Sequence, residues 1–229
     1  MLRLVTYSTP SHAAMCERFV LSRAWGFDDR MHTSYDQTCE TGAFKSAGWN
    51  ACMLDKLRTL LAVPVDNNPT LYVDADVALF PHLVQWCRWR QTFLEPDEIA
   101  FSDDVVQWCA GIMLFRSTRR VHEFWRTIAD LSAAWDLPDQ EVIHELRQHT
   151  ASRNGTFPIK ASVLPRDVFC NWATVNAPTV PPPWTGESFD IPKTCLAWHA
   201  NWVVGVDGKL EMLSRVVTQE TRRAEPVAS

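Results

Sequence analysis

The sequence predicts a single α/β domain with a mostly parallel central sheet flanked by helices. Three observations carry this reading. The first eighty residues alternate apolar strands with amphipathic helices in a β-α-(β)-α-β order. The stretch "TLYVDADVALF", Thr70 to Phe80, reads as a buried strand. A chain of 229 residues is also long enough to bury a substantial core as one domain.

Taken in order, "LRLVTYS" (Leu2 to Ser8) is a strand closed by a polar turn. "SHAAMCERFVLSRAWG" is a helix with Ser11 as its cap and Gly26 as its stop. A short strand is placed near Gly26 to Asp29. In "NACMLDKLRTLLAVP" apolar residues recur at 53, 54, 57, 60 and 61, the stripe of an amphipathic helix that Pro64 closes. The Thr70 to Phe80 strand follows, then a looser helix over Leu83 to Phe93. "EIAFS" and "WCAGIMLFR" are two further strands. "STRRVHEFWRTIADLSAAW" is a helix with a Ser/Thr start, and "LPDQEVIHELRQH" is another, opened by Pro138 and Asp139. "ASVLPRDVFCNW" holds a short strand, "NAPTVPPPWTGESFDIPK" an irregular proline-rich loop, and "TCLAWHANW" a last apolar strand. The domain is thereby placed at residues 1–217, with 218–229 as a solvated or frayed tail.

A formal charge of −5 and the lack of a basic cluster argue against a nucleic-acid groove. No apolar run approaches the roughly 20 residues that cross a bilayer. "MLRLVTYSTP" is too short and polar for a signal peptide. Seven cysteines (Cys16, Cys39, Cys52, Cys87, Cys109, Cys170, Cys195) are scattered and never form a CxxC pair. That fits reduced thiols in the cytoplasm better than a disulfide framework or a zinc site.

The chemistry concentrates in three places. In a strand, Asp74 and Asp76 share one face while Ala75 takes the other. Two carboxylates at the carboxyl end of a parallel strand offer hard oxygens to Mg²⁺ or Mn²⁺, which can bridge phosphates. The spacing alone equally fits a solvated strand end, since sixteen aspartates give about one such triplet by chance. In "AWHANW", His199 and Asn201 alternate onto one face; His199 is either a third metal ligand or a hydrogen-bonded core histidine. "LPDQEV" puts Asp139 and Gln140 at a helix start, where an aspartate ordinarily serves the helix dipole.

The "LVTYST" strand, Lys56 on the helix before "LYVDADVALF", then "AGIMLFRST", "LPDQEV", "LPRDVF" and "WHANW" occur in that order over residues 2 to 205. Together they resemble the nucleotide-diphospho-sugar transferase family, glycosyltransferases of the Rossmann-like GT-A fold. That family includes plant arabinosyl-, xylosyl- and galactosyltransferases and is more distantly similar to glycogenin and bacterial galactosyltransferases. The resemblance implies a divalent metal, Mn²⁺ with Mg²⁺ as the alternative, a nucleotide-sugar donor, usually UDP-linked, and a glycan or other hydroxyl acceptor. It places Thr6, Tyr7 and Ser8 near the nucleotide and Lys56 at the donor phosphates or sugar. Asp74 would contact ribose and metal, Asp76 and His199 would ligate the metal, and Gly111 would lie against the donor. Gln140, with Asp139 beside it, would approach the anomeric carbon. Relatives retain anomeric configuration, through a covalent carboxylate intermediate (Asp103, Asp104 or Asp139) or by same-face attack. The family commonly shows Asn-Ser-Gly where this chain has Cys109-Ala110-Gly111, so only the glycine is kept. Trp172, Trp184 and Trp202 are either sugar-stacking or packing residues.

Other functions share parts of this pattern. A sugar-1-phosphate nucleotidyltransferase would carry a glycine-rich basic loop after the first strand, and "TYSTPSHAAMCERF" has no glycine. A phosphohydrolase needs a denser Asp/His cluster for two metals. A catalytically silent nucleotide-sugar or glycan-binding module would have lost the metal ligands.

Overall fold

The computed structural model describes residues 1–39, 47–153, 155–176 and 181–224; part of the proline-rich loop and the last five residues lie outside them. Strands β1 (Arg3–Ser8), β2 (Asp29–Ser34) and β3 (Pro69–Val73) join β5 (Glu98–Asp103), β6 (Trp108–Arg116) and β7 (Lys160–Val163) in a six-stranded sheet of order β2-β1-β3-β6-β5-β7. β1 pairs parallel with β2 and β3, and β5 with β7, while β6 is antiparallel to both of its neighbours. The expected mostly parallel central sheet is therefore present, with β6 alone reversed.

Both faces of this sheet are covered, which is why β1 and β3 are buried along their whole length. Alternate residues serve opposite cores. Val5, Tyr72, Met113 and Phe115 pack beneath α2 (Trp49–Ala62), α4 (Arg119–Trp135) and α5 (Asp139–Ser152). Leu4, Leu71, Val73 and Leu114 pack with Cys16 of α1 (Pro10–Phe19) and Leu83 and Cys87 of α3 (Leu83–Arg90). At α4 the Thr118 hydroxyl accepts from the Val121 N–H at 3.2 Å, the expected Ser/Thr cap.

The Thr70 to Phe80 strand is broken in two. β3 ends at Val73, and β4 (Val77–Leu79) enters a second, three-stranded sheet, β4-β9-β8, with β8 (Phe169–Asn171) and β9 (Ala197–His199). Asp74-Ala75-Asp76 is the turn between the sheets. The chain changes partner there: Asp74 N donates to Gly111 O of β6 at 2.8 Å, and Asp76 O accepts from Ala200 N after β9 at 3.0 Å. The carboxylates thus stand at a seam rather than on one strand face.

Other boundaries move for local reasons. α1 starts at Pro10, suited to a first helical turn, so Ser11 lies inside it, and it ends at Phe19 rather than Gly26. The short strand expected near Gly26 to Asp29 runs from Asp29 to Ser34. The "ASVLPRDVFCNW" segment supplies two strands, one to each sheet. After the short helix α6 (Trp172–Asn176), helix α7 (Val206–Ala224) runs on through Thr218; its Met212, Leu213 and Val216 are fully buried against Trp198, Phe19 and Trp184. Among the described residues no helix is long and apolar enough to cross a membrane. All seven cysteines are buried, and no disulfide is formed among the described residues.

Candidate functional site

The seam between the sheets collects the charged residues. Asp76 and His199 are each 5% exposed, and one ligand atom from each of Asp74, Asp76 and His199 lies within 4.8 Å of the others. β4 and β9 pair so that Val77 sits opposite His199, which brings the imidazole beside the turn. His199 Nε2 is 3.2 Å from Asp76 Oδ1 and 3.9 Å from Asp74 Oδ2. Two carboxylates and one imidazole are a donor set that suits Mn²⁺ or a similar divalent ion. Gly111 makes the approach feasible. A Cβ there would lie 2.1 Å from His199 Cε1 and 2.9 Å from Asp74 Oδ2, so any side chain would push these groups aside.

Cations hold the cluster together. Lys209 of α7 is 2.5 Å from Asp76 Oδ2. Burial works against ionising Asp76, but Lys209 and His199 outweigh it and hold its carboxyl well below the usual range. Burial likewise disfavours the His199 imidazolium, yet Asp76 raises its pKa well above the usual imidazole range. Lys56 of α2 is 3.4 Å from Asp74 Oδ1 and 3.0 Å from Asp139 Oδ2, with its side chain 3% exposed. Burial opposes its charge; Asp139 and Asp74 reverse that and raise its pKa above the ordinary lysine range. Tyr72 completes this side, donating its hydroxyl to Asp74 Oδ1 at 2.5 Å.

Asp139 and Gln140 open α5 beside the cluster. Asp139 is buried, and its Oδ2 receives no well-aligned hydrogen bond even with Lys56 at ion-pair distance. Burial raises its pKa, and the Lys56 charge only partly offsets this. Gln140 Oε1 accepts from Ala110 N at 3.2 Å, and its Nε2 donates to Asp104 Oδ2 at 3.3 Å.

The structure thus brings Lys56, Asp74, Asp76, Gly111, Asp139, Gln140 and His199 into one contact network. The end of β1 is divided. Tyr7 packs on the α2 side, its hydroxyl donating to Cys52 O at 3.3 Å, and burial followed by the nearby Asp74 raises its pKa. Thr6 is fully buried against Cys16, and the Ser8 hydroxyl pairs with His32 Nε2 at 2.9 Å; neither side chain bonds to a member of the cluster in the described residues. Trp172 and Trp184 are core residues whose indole N–H groups donate to Pro182 O and Glu187 O. Trp202 is partly exposed and donates to Asp104.

Lys209 and the contact of Cys109 with His199 have no signal in the sequence, and Asp104, a candidate carboxylate there, instead accepts from Gln140, Asn201 and Trp202. The Cys109 thiol lies 3.5 Å from His199 Nδ1, where the expected asparagine would stand. The departure from Asn-Ser at Cys109 and Ala110 was visible in the sequence, but not this contact.

Comparison with known proteins bears on this geometry. The family model described as nucleotide-diphospho-sugar transferase matches residues 20–213. Among solved structures, the chain is similar to a glycosyltransferase involved in glycosylation of the major capsid of PBCV-1, at 12% identity and a TM-score of 0.61 over 93% of this chain and 98% of that one. It is also similar to the galactosyltransferase LgtC bound to donor and acceptor sugar analogues, at 11% identity and a TM-score of 0.53 over 93% and 96% of the two chains. GlyE of Streptococcus pneumoniae TIGR4 shares 14% identity and a TM-score of 0.52 over 99% of this chain and 65% of its own. At these identities the likeness is one of fold. No curated protein matches the sequence significantly.

Proposed function

We propose a function from one premise: this chain belongs to the nucleotide-diphospho-sugar transferase family. Its reaction is transfer of a sugar from a nucleotide-sugar donor, UDP-linked, to a hydroxyl of a glycan or related acceptor, with retention of anomeric configuration. The observation that carries this reading is the Asp74–Asp76–His199 cluster against Gly111. It is an intact ligand set, which favours an enzyme over a silent binding module.

Asp74, Asp76 and His199 are the residues that would hold a divalent ion, Mn²⁺ in the first instance. When bound, such an ion neutralises charge that builds on the donor diphosphate as the sugar departs. Lys209 supplies a cation on the same side for phosphate oxygens. Lys56 is already balanced by Asp74 and Asp139, so it acts on the donor by fixing those two carboxylates. Tyr7, with the backbone of Thr6 and Ser8, forms the nucleotide end of the site. Gln140 and Asp139 orient the donor sugar.

The three carboxylates considered for a covalent intermediate are each engaged. Asp103 pairs with Arg166 at 2.5 Å, Asp104 accepts from three side chains, and Asp139 faces Lys56. This favours same-face attack. The anomeric carbon–phosphate oxygen bond breaks, the acceptor oxygen bonds to the same face, and its proton passes to the departing phosphate.

The test is a thermal-shift screen of nucleotide diphosphates and nucleotide sugars with and without Mn²⁺, followed by transfer assays with the donor that binds. Stabilisation that needs both nucleotide and Mn²⁺ is expected. Failure of every nucleotide to raise the melting temperature would overturn the reading.

A further inference from the structure

We infer that Asp104 is a positioning residue that fixes which way the Gln140 carboxamide points; the inference rests on the transferase reading of this site. Asp104 lies in the turn between β5 and β6 and is 8% exposed. Three donors converge on its two oxygens. Oδ1 accepts from Asn201 Nδ2 at 2.8 Å and from Trp202 Nε1, and Oδ2 accepts from Gln140 Nε2. At the other end of the amide, Oε1 accepts from Ala110 N. An N–H of the backbone can only donate and a carboxylate can only accept, so the amide cannot be turned over without losing both bonds. The clamp uses one N–H and one lone pair of Gln140 and leaves one of each for a sugar hydroxyl.

The backbone around Asp104 is held in an unfavourable shape. Val105 has φ of 65°, a left-handed conformation that a β-branched residue adopts only under constraint. The constraints are visible: Val105 N donates to Asp103 Oδ1 at 2.8 Å, Val106 N to Asp104 O at 2.7 Å, and Asp104 N to Gln107 O at 3.1 Å. Strain maintained at a turn that aims one carboxylate at one amide is what a positioning role requires. Asn201 and Trp202 lie two and three residues after His199, so they tie the clamp to the end of β9. Asp104 is thus held by the second sheet while it orients a residue of α5.

The substitution Asp104→Asn separates this role from a merely structural one. Two donors keep the remaining side-chain oxygen facing Asn201 and Trp202, which turns the new NH₂ towards Gln140 Nε2. Gln140 must then flip or lose its partner, and a flip sets Nε2 against the Ala110 N–H.

The first experiment needs no activity. In ¹H–¹⁵N spectra, the Gln140 side-chain pair is assigned by its loss in Gln140→Ala. That pair is expected to shift in Asp104→Asn while most backbone signals stay in place; an unmoved pair overturns the clamp. In transfer assays, Asp104→Asn is expected to lower kcat on the order of 10-fold with donor KM within about twofold. It should add no further loss in a Gln140→Ala background. Losses that multiply in the double variant would show that Asp104 acts independently of Gln140, and the inference falls. If the parent transfers no sugar, the transferase reading fails by itself, and the spectra still decide the clamp. Should Asp104→Asn not fold, Gln140→Glu probes the same contact by setting two carboxylates together. Its melting temperature should fall and recover when Asp104→Asn is added; no recovery counts against the clamp.

Discussion

Arg3 and Lys56 are both buried cations set between two carboxylates, at opposite ends of the parallel strands β1 and β3. At the amino end, Arg3 Nε meets Asp29 Oδ2 at 2.6 Å, and its Nη2 meets Asp66 Oδ2 at 2.7 Å. The planar fork matches two carboxylates that remain partly in water, 41% and 29% exposed. At the carboxyl end, Lys56 stands 3.0 Å from Asp139 and 3.4 Å from Asp74, and one Asp139 oxygen lacks an aligned bond. The first arrangement closes the amino end of these strands. The second keeps carboxylates oriented without saturating them, next to the Asp74–Asp76–His199 cluster that could hold a metal ion. Bond geometry, rather than the presence of buried charge, distinguishes a structural triad from a site prepared for a ligand.

The largest effect is expected at Lys56. Lys56→Met leaves Asp74 and Asp139 facing each other with Asp139 buried, a loss of about 3–5 kcal/mol in urea unfolding near neutral pH. Nucleotide binding with Mn²⁺ should weaken as well. Arg3→Met should cost less, about 2 kcal/mol, because its carboxylates can rehydrate. Nucleotide affinity should stay within about twofold of the parent. If Arg3→Met impairs binding as much as Lys56→Met, the two ends are not functionally distinct.

Next comes Gly111→Ala. The added methyl overlaps His199 and Asp74, so Mn²⁺ affinity should drop at least about 10-fold by calorimetry. Unchanged affinity would mean that these groups are not placed as ligands.

Much of the large sheet was legible because long strands and helices repeat their pattern. β1, α2, β6, α4 and α5 each carry enough apolar residues to set a period, and α2 ends before Pro64 as expected. The second sheet was not legible as such. Its strands are three residues each, too short for any period, and the apolar run through Val73 and Val77 hides the change of partner at Asp74. The stretch from Thr218, expected as a solvated or frayed tail, is the end of helix α7, whose apolar side makes sense only against Trp198 and Phe19. At the site, Asp74, Asp76, His199, Lys56 and Gln140 could be singled out by motif order. Lys209 could not, since its partner lies 133 residues away, and Asp104 was visible only as a candidate carboxylate, because its partners lie 36, 97 and 98 residues away.

The smallest effect concerns pH and the amino end alone. Asp66 is pulled from its ordinary value to about 2: burial opposes this, and hydrogen bonds from Arg3 and Asn68 outweigh it. A carboxyl depressed in the folded state contributes stability above its unfolded pKa and loses it as pH falls through the folded value. Stability from this pair should therefore be full above about pH 4 and fade towards pH 2. Solvent screening holds the contribution to about 1 kcal/mol. Urea titrations from pH 5 to 2 should show a shallower acid limb in Asp66→Asn than in the parent; coincident limbs would remove Asp66 from the triad's energetics.

The central claim is that the seam between the two sheets is a metal-assisted nucleotide site, and Asp76→Asn tests it most directly. Asp76 is buried, bonds to both His199 and Lys209, and has no role in the hydrophobic cores. The measurement is calorimetric titration of UDP, with and without Mn²⁺, into the parent and the variant, with near-ultraviolet circular dichroism to verify the fold. The parent should bind UDP tightly only with Mn²⁺, and the folded variant should lose this Mn²⁺-dependent gain, a weakening on the order of 10²-fold. A folded Asp76→Asn protein that binds UDP with parental affinity in Mn²⁺ would contradict the account.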